Sequence, residues 1–234
     1  AVIDGLTVSN GNWTSGAGIY KTGDNTLAIR NCRIVSNRCA GGPGVGAQLV
    51  SGTVTISNTV FAFNYGQADG QGLYANGVDL TVQYCTFTNN GPEPGLPAYA
   101  VRCRSGGGMF IQGGSLDVTD SLFIDNVSPS DCGAENGGGA IHIKSASSVL
   151  ISGTDFVRNT VAEHETYNNK NGGALWIDVG TSTARVDHCT FINNLTGTGP
   201  QDDGGALYLE GGYLTVSNCT FSGNRCSTEG GAIA

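Results

Sequence analysis

Residues that could carry acid–base or metal chemistry are few in this chain and lie far apart. Its 234 residues include 3 histidines, 11 lysines and arginines, and 19 aspartates and glutamates. Hydrolysis of a glycosidic bond needs two carboxyl groups facing one sugar linkage, and the adjacent pair Asp202 and Asp203 lies in an irregular stretch. Glu163, His164 and Glu165 are metal-ligating types in a polar loop. We therefore expect no catalytic residue, no metal site and no cofactor, and acidic loops leave calcium as an open alternative.

The remaining histidines predict structural roles. His142 alternates with isoleucines in "IHIK", so we expect its ring to point to solvent. His188 precedes a cysteine where a repeat turns, which favours a turn role. The net charge is −8, which argues against a basic surface for nucleic acid or anionic lipid. No apolar run reaches the roughly 18 residues of a membrane span.

A repeated unit supplies the elements that would position any site. It recurs as "LTVQYCTFTNN" from Leu80 and "LTVSNCTFSGN" from Leu214. The copies begin at Leu6, Leu27, Val54, Leu80, Leu116, Val149, Ala184 and Leu214. Seven residues further on lies an aromatic or aliphatic column: Trp13, Ile34, Phe61, Phe87, Phe123, Phe156, Phe191 and Phe221. Ten residues on lies an asparagine column: Asn37, Asn64, Asn90, Asn126, Asn159, Asn194 and Asn224. Alternation with period two in each copy predicts strands with one buried face.

Aligned columns predict stacked parallel strands. One unit cannot bury its own apolar face, whereas stacked units can. We therefore predict an all-β, right-handed parallel β-helix of about eight coils, one domain over residues 1–234, with phenylalanine and asparagine ladders. A β-sandwich is the alternative, and it explains the alternation without the columns. Insertions after the asparagine column share one edge and are expected to carry a binding surface: Gly91 to Ser105, Val127 to Asn136, Thr160 to Asn171 and Leu195 to Asp203.

A second motif, Gly-Gly-Ala followed by Ile or Leu, opens several units. It begins at Gly138, Gly172, Gly204 and Gly230. Together with the FxxN column, it resembles the repeats of chlamydial polymorphic outer membrane proteins and of bacterial secreted β-helix repeat proteins. The resemblance covers nearly the whole chain and implies secretion, surface display and adhesion.

The 8 cysteines fall into two sets. Cys32, Cys85, Cys189 and Cys219 share one position of the repeat, which predicts small buried thiols at a turn. The others, Cys39, Cys103, Cys132 and Cys226, are expected in loops. Cys103 and Cys132 belong to loops flanking one coil and are the predicted disulfide pair, which would fit an oxidising compartment.

Both ends of the sequence look like interrupted coils. β-Helices that expose end strands tend to associate, and joining "GGAIA" to "AVIDGLTVSN" continues the repeat. The alignment places Gly230 on Gly204, Ile233 on Leu207, Leu6 on Leu214, Val8 on Val216 and Trp13 on Phe221. The expected assembly interface is Ala1, Val2, Ile3, Leu6, Val8, Trp13, Gly230, Gly231, Ala232, Ile233 and Ala234.

The sequence thus predicts a non-enzymatic extracellular structural protein that polymerises head to tail with copies of itself. Two alternatives stay open. The first is a surface adhesin or glycan-binding module, as a fragment of a longer repeat array, that recognises glycans or host cell surfaces. The second is a polysaccharide lyase or hydrolase. Nucleic-acid binding and membrane insertion are not expected.

Overall fold

The chain winds as short parallel strands that return to the same place after each repeat. The computed structural model describes residues 1–67, 69–95, 105–128, 136–162, 170–197 and 202–234. Neighbouring strands pair in parallel, with each core column in register from coil to coil. Within the described ranges, no helix is long and apolar enough to cross a membrane.

The strands form two large sheets and several small ones. The 11-stranded sheet contains β1 (Val2–Asp4), β4 (Ile19–Lys21), β5 (Leu27–Arg30), β8 (Ala47–Ser57), β11 (Leu73–Gln83), β13 (Met109–Gln112), β14 (Ser115–Thr119), β18 (Ile141–Lys144), β19 (Ser148–Ser152), β23 (Leu175–Asp187) and β25 (Leu207–Ser217). The 8-stranded sheet contains β2 (Thr7–Ser9), β6 (Arg33–Val35), β9 (Val60–Ala62), β12 (Thr86–Thr88), β15 (Leu122–Ile124), β20 (Asp155–Val157), β24 (Thr190–Ile192) and β26 (Thr220–Ser222). The small sheets contain β3 (Asn12–Trp13), β7 (Arg38–Cys39) and β10 (Tyr65–Gly66), then β16 (Val127–Ser128) and β21 (Thr160–Val161), then β17 (Asn136–Gly137) and β22 (Lys170–Asn171).

The core lies between the two large sheets and is arranged in columns. Inward residues of the 11-stranded sheet, such as Ile29, Ile56 and Val82, are fully buried. Opposite them, the phenylalanines of the 8-stranded sheet stack face to face, for example Phe87 on Phe123 with ring centroids 4.7 Å apart. The predicted ladder therefore exists, and its ring faces are covered by neighbours of the same type.

The asparagine column is a buried hydrogen-bond ladder. The side-chain Nδ2 of Asn90 donates to Oδ1 of Asn126 in the next coil (3.0 Å) and to the Phe61 carbonyl in the previous one (2.9 Å). The backbone N–H of Asn90 also donates to Oδ1 of Asn126 (3.2 Å). Each amide thus joins three coils, and this satisfaction explains why a polar group is tolerated at zero exposure.

The small-residue column is confirmed with Cys32, Cys85 and Cys189 buried in it, whereas Cys219 in the last coil is only partly buried. Thiols and hydroxyls are equivalent in this column. The Cys85 thiol donates to the Gln83 carbonyl (3.2 Å), as the Thr59 hydroxyl does to Ser57 (2.9 Å). Burial raises the pKa of Cys85 to about 11 and that of Cys189 to about 12.

The expectation for the second cysteine set is partly wrong. Cys39 is not in a loop: it lies in β7 and is 5% exposed, with its thiol contacting the Thr14 carbonyl (3.0 Å). The cysteines within the described ranges are free, whereas the predicted pair Cys103 and Cys132 lies outside those ranges.

The first coil has a different register from the one the sequence suggested. Ile3 lies beside Ile29, Val8 beside Ile34, and Trp13 beside Cys39. The placement of Trp13 in the phenylalanine column is therefore wrong: Val8 occupies that column, and Trp13 is 71% exposed. Gly11 stands in the asparagine column, where its N–H donates to Asn37 Oδ1 (2.9 Å).

His142 is not in solvent. Its ring points out of the coil as alternation requires, but it stacks between Phe110 (4.7 Å) and Trp176 (4.0 Å) and is 1% exposed. The main chain at Gly137 crosses this outer aromatic stack, since a Cβ on Gly137 would lie 2.7 Å from Trp176. Burial lowers the pKa of His142 to about 3, opposed by a backbone hydrogen bond at Gly137.

Candidate functional site

A row of hollows lies outside the asparagine ladder, at the corner where each coil turns. Before each buried asparagine, the chain adopts a left-handed turn, and after it the chain leaves along a short third strand. The turn side chain and the first side chain of that strand therefore diverge, and the notch between them repeats in successive coils. The turn residues are Asn10, Ser36, Phe63, Asn89, Asp125, Arg158, Asn193 and Gly223, each with a φ of 52–66°. We call this notch the corner groove.

The corner groove is open at several levels of the stack. A hollow of about 340 Å³ lies at the first coils and is lined by Asn10, Gly11, Asn12, Ser36, Arg38, Phe63 and Tyr65. A second, of about 160 Å³, shares Tyr65 and continues along Asn89, Asn90, Gly91, Pro92, Pro94, Asp125 and Val127. A third, of about 320 Å³, lies along the same edge at Asn193, Asn194, Leu195, Gly223 and Arg225.

Phe63 is the least expected residue of the corner groove. Its φ is 55°, a left-handed conformation that favours glycine, asparagine or aspartate and strains a bulky residue. Its side chain is also 45% exposed. The ring meets Tyr65 at 62° with centroids 6.5 Å apart, so the two rings do not cover each other's faces. Burial raises the pKa of the Tyr65 phenol, although Arg38 opposes the shift, so this hydroxyl stays protonated.

Charged groups along the groove are largely paired with each other. Arg38 contacts the Glu93 carboxylate (3.0 Å). Arg158 makes a two-pronged contact with Asp125, with both N–O distances 2.8 Å. Arg225 lines the third hollow, where no ion pair to a described residue is formed. The first two hollows therefore combine aromatic rings, amides and neutralised charge.

Asp187 and His188 form the second cluster of interest. Asp187 accepts hydrogen bonds from Ser217 (2.7 Å) and Asn218 (3.0 Å) of the next coil and contacts His188 Nδ1 (2.9 Å). These bonds, led by Ser217, hold the pKa of Asp187 below its usual range. His188 has a φ of 51°, which confirms its turn role. These hydrogen bonds tie two neighbouring coils together.

The asparagine column forms one ladder. The residues of the expected assembly interface lie at the two ends of the stack, with Ala1, Val2 and Ile3 in the first coil and Gly230 to Ala234 in the last. Gly230 and Ile233 do match the preceding coil: the φ of Gly230 is 60°, as in Gly204, and Ile233 bridges to Leu207. Leu6 does not match Leu214. The Leu6 carbonyl accepts a hydrogen bond from the Arg33 N–H, and the Cys32 carbonyl accepts the equivalent bond from the Val60 N–H. Leu6 therefore lies in the small-residue column, next to Cys32.

The inserted loops are only partly covered by the described residues. Residues 96–104, 129–135, 163–169 and 198–201 lie outside them, so the prediction that these loops carry a binding surface stays a prediction. The segment from Glu163 to Glu165 lies there too. Within the described residues, no cluster of histidine, cysteine and acidic side chains has the arrangement of a metal site.

The corner groove itself was missed at the sequence level. Its signal is present in "FAFNY", where Phe63 stands at the turn position that other repeats fill with small polar or charged residues. A large apolar residue at a turn, directly before a ladder asparagine, is the anomaly that identifies an exposed ring. The repeat alignment concealed it because Phe61 already accounted for the aromatic column.

Comparison with known proteins identifies the family. The sequence pattern described as "right handed beta helix region" matches residues 1–119 and 102–234. No curated protein and no solved structure matches the chain. The stacked parallel sheets agree with the family description, and the matches span the chain from end to end. The chain therefore belongs to the right-handed β-helix family.

Proposed function

We propose that the protein is a non-enzymatic, extracellular glycan-binding module whose corner groove holds a polymer lengthwise. In this proposal the solenoid has one coil for each strand of the 8-stranded sheet, and the groove follows the whole stack. A polymer is favoured over a small ligand because the notch repeats from coil to coil and is open to solvent. Binding surfaces for extended ligands are long and shallow in this way.

Phe63 carries the proposal. Its left-handed backbone and its exposed ring are both unfavourable in a protein that only has to fold. The same ring, beside Tyr65, Arg38 and amide side chains, is suited to pack against the apolar face of a sugar while polar groups bond its hydroxyls. Tyr84 has the same φ and is also exposed, so what distinguishes Phe63 is its place in a hollow beside Tyr65 and Arg38.

The groove's carboxylates favour binding over catalysis. General acid–base chemistry on a sugar needs one protonated and one ionised carboxyl group facing the same bond. Glu93 and Asp125 are instead paired with Arg38 and Arg158, and each carboxylate contacts its own arginine and not a shared ligand position. The resemblance to secreted repeat proteins of chlamydial and other bacterial surfaces adds the expectation of a surface adhesin.

A glycan array tests the proposal with a matched pair of variants. Phe63→Asn and Tyr84→Asn each replace an aromatic residue at a left-handed turn, with φ 55° in both cases, and Tyr84 is 60% exposed outside the groove. We expect the unmodified protein and Tyr84→Asn to bind the same glycans and Phe63→Asn to lose them. Equal binding by all three proteins would place the site elsewhere.

A head-to-tail filament is our second proposal. The end strands β2 and β26 pair on one side only, and Val2 (59%), Leu6 (54%) and Ile233 (41%) are exposed there. Main-chain ladder bonds could join such ends as in strand addition. The gapless register suggested by the sequence no longer supports this, because the first coil is shifted. Val2→Pro, which removes an N–H that points away from β5, should abolish fibres seen by microscopy. An unmodified protein that stays monomeric when concentrated contradicts the proposal.

A further inference from the structure

We infer that the subsite at Phe63 and Tyr65 accepts an uncharged, extended β-linked glycan and discriminates against uronic-acid chains. This inference rests on the proposed function of the corner groove and names its ligand class. It depends on three features of the described residues: free aromatic faces, paired charges, and the spacing of the coils.

Free ring faces distinguish this subsite from the other aromatic clusters of the molecule. In the core, Phe61 and Phe87 are parallel to within 2°. In the outer stack, His142 and Trp176 are parallel to within 9°. These four rings are stacked and buried, so they offer no surface to a ligand. The 62° angle of the pair Phe63 and Tyr65 leaves ring surface open, which the apolar face of a pyranose can cover.

Charge pairing decides between neutral and acidic sugars. A uronate approaching Arg38 has to displace Glu93, so one ion pair is exchanged for another and the displaced carboxylate remains nearby. The same holds at Arg158, whose two N–O contacts to Asp125 are already made. An uncharged sugar uses the amides, the phenol and the ring faces without disturbing either pair. Arg225 lines the third hollow and therefore lies outside the subsite at Phe63 and Tyr65.

The spacing of the coils favours an extended chain. Parallel strands lie about 4.8 Å apart, which is close to the length of one pyranose in an extended β-1,4-linked chain. Successive sugars can therefore meet successive notches, and the affinity should increase with chain length until the groove is filled. Compact or branched glycans do not share this spacing.

The experiment compares a linear β-1,4-linked glucose hexamer with a linear uronate hexamer by isothermal titration calorimetry. We expect the glucose hexamer to bind at least tenfold more tightly, and Phe63→Asn to weaken it at least tenfold. Tyr84→Asn should change it less than twofold. Glu93→Gln frees the Arg38 cation, so it should increase uronate affinity at least fivefold and leave glucose affinity within twofold. The control Glu210→Gln, an exposed carboxylate outside the groove, should change neither.

The outcomes separate the inference from the function on which it rests. Tighter binding of the uronate hexamer that is lost in Phe63→Asn overturns the ligand class and keeps the groove. If a hexamer binds the Phe63→Asn variant as tightly as the unmodified protein, both the ligand class and the proposed groove are overturned. No binding of either hexamer to the unmodified protein overturns the ligand class, and the glycan array then decides whether the groove binds any glycan. An unchanged uronate affinity in Glu93→Gln overturns the role given to charge pairing.

Discussion

Phenylalanines occupy two opposite environments within one strand and the turn that follows it. Phe61 is fully buried, and its ring is covered by a neighbour 4.6 Å away. Phe63, two residues later, is 45% exposed at a strained turn. Burial of Phe61 stabilises the coil through apolar area and packing, whereas exposure of Phe63 costs stability. Residue type alone therefore does not separate structure from function here, but the covering of the ring faces does.

Among the variants considered, Phe123→Ala in the buried phenylalanine column should lower the free energy of unfolding the most. The Phe123 ring is fully buried between Phe87 and Phe156 (4.7 and 5.2 Å), so truncation leaves a cavity that the stacked coils cannot close. We expect a loss of about 3–5 kcal/mol in the free energy of unfolding, measured by urea denaturation. Phe63→Ala serves as the comparison and should lose little. A loss below about 1 kcal/mol for Phe123→Ala would mean that the core column is not tightly packed.

Acid should act through the outer stack. The pKa of His142 is about 3 in the folded chain and 6.5 without burial, so the unfolded chain takes up the proton first. The stability that this group contributes is therefore fully present above pH 6.5 and is lost as the pH is lowered from 6.5 towards 3. The slope approaches about 1.4 kcal/mol per pH unit from this one group. His142→Phe keeps the stack and should remove that part of the slope; equal slopes in both proteins would contradict it.

Buried asparagines of the ladder can also be compared with partly exposed asparagines of the turn beside it. Asn126→Ala removes the oxygen that accepts both the backbone N–H and the Nδ2 of Asn90, leaving buried donors unpaired. We expect a loss of about 1–3 kcal/mol in the free energy of unfolding. Asn89, in the turn before Asn90, faces the groove. Asn89→Gly keeps the φ of 52° without strain and should cost less than about 0.5 kcal/mol by the same measurement. Similar losses in the two variants would contradict the prediction, because the ladder hydrogen bonds would then contribute no more stability than the turn residue.

The sequence predicted what repeats and failed where one copy deviates. Columns of Phe and Asn sufficed for the parallel stack, because identical side chains at one spacing have to lie above one another. The first coil was misaligned because "LTVSN" from Leu6 repeats "LTVSN" from Leu214 letter for letter. The structure prefers the register that puts Ile3 and Val8 into the core columns. That register separates Gly11 from Asn37 by 26 residues, close to the 27 between Asn37 and Asn64.

His142 and the corner groove were missed for a different reason. Alternation along a strand shows which way a side chain points but does not show what covers it. The sequence therefore predicted a solvated His142, because its aromatic neighbours come from other coils. The corner groove arises from the divergence of two side chains around a buried asparagine, and no single column contains both. The groove becomes visible only in three dimensions, where Phe63 lies beside Tyr65 and Arg38 pairs with Glu93 of another coil.

Phe63→Asn should have the smallest effect on stability and the sharpest on function. Asparagine tolerates the φ of 55° that strains phenylalanine, and a half-exposed ring contributes little packing. The free energy of unfolding should therefore stay unchanged or rise by up to about 1 kcal/mol, measured by urea denaturation. Binding to the glycan array should fall in the same protein, because the open ring face is gone. Stability and binding thus change in opposite directions only if Phe63 is retained for a ligand. A variant that loses more than about 1 kcal/mol would instead assign Phe63 to packing.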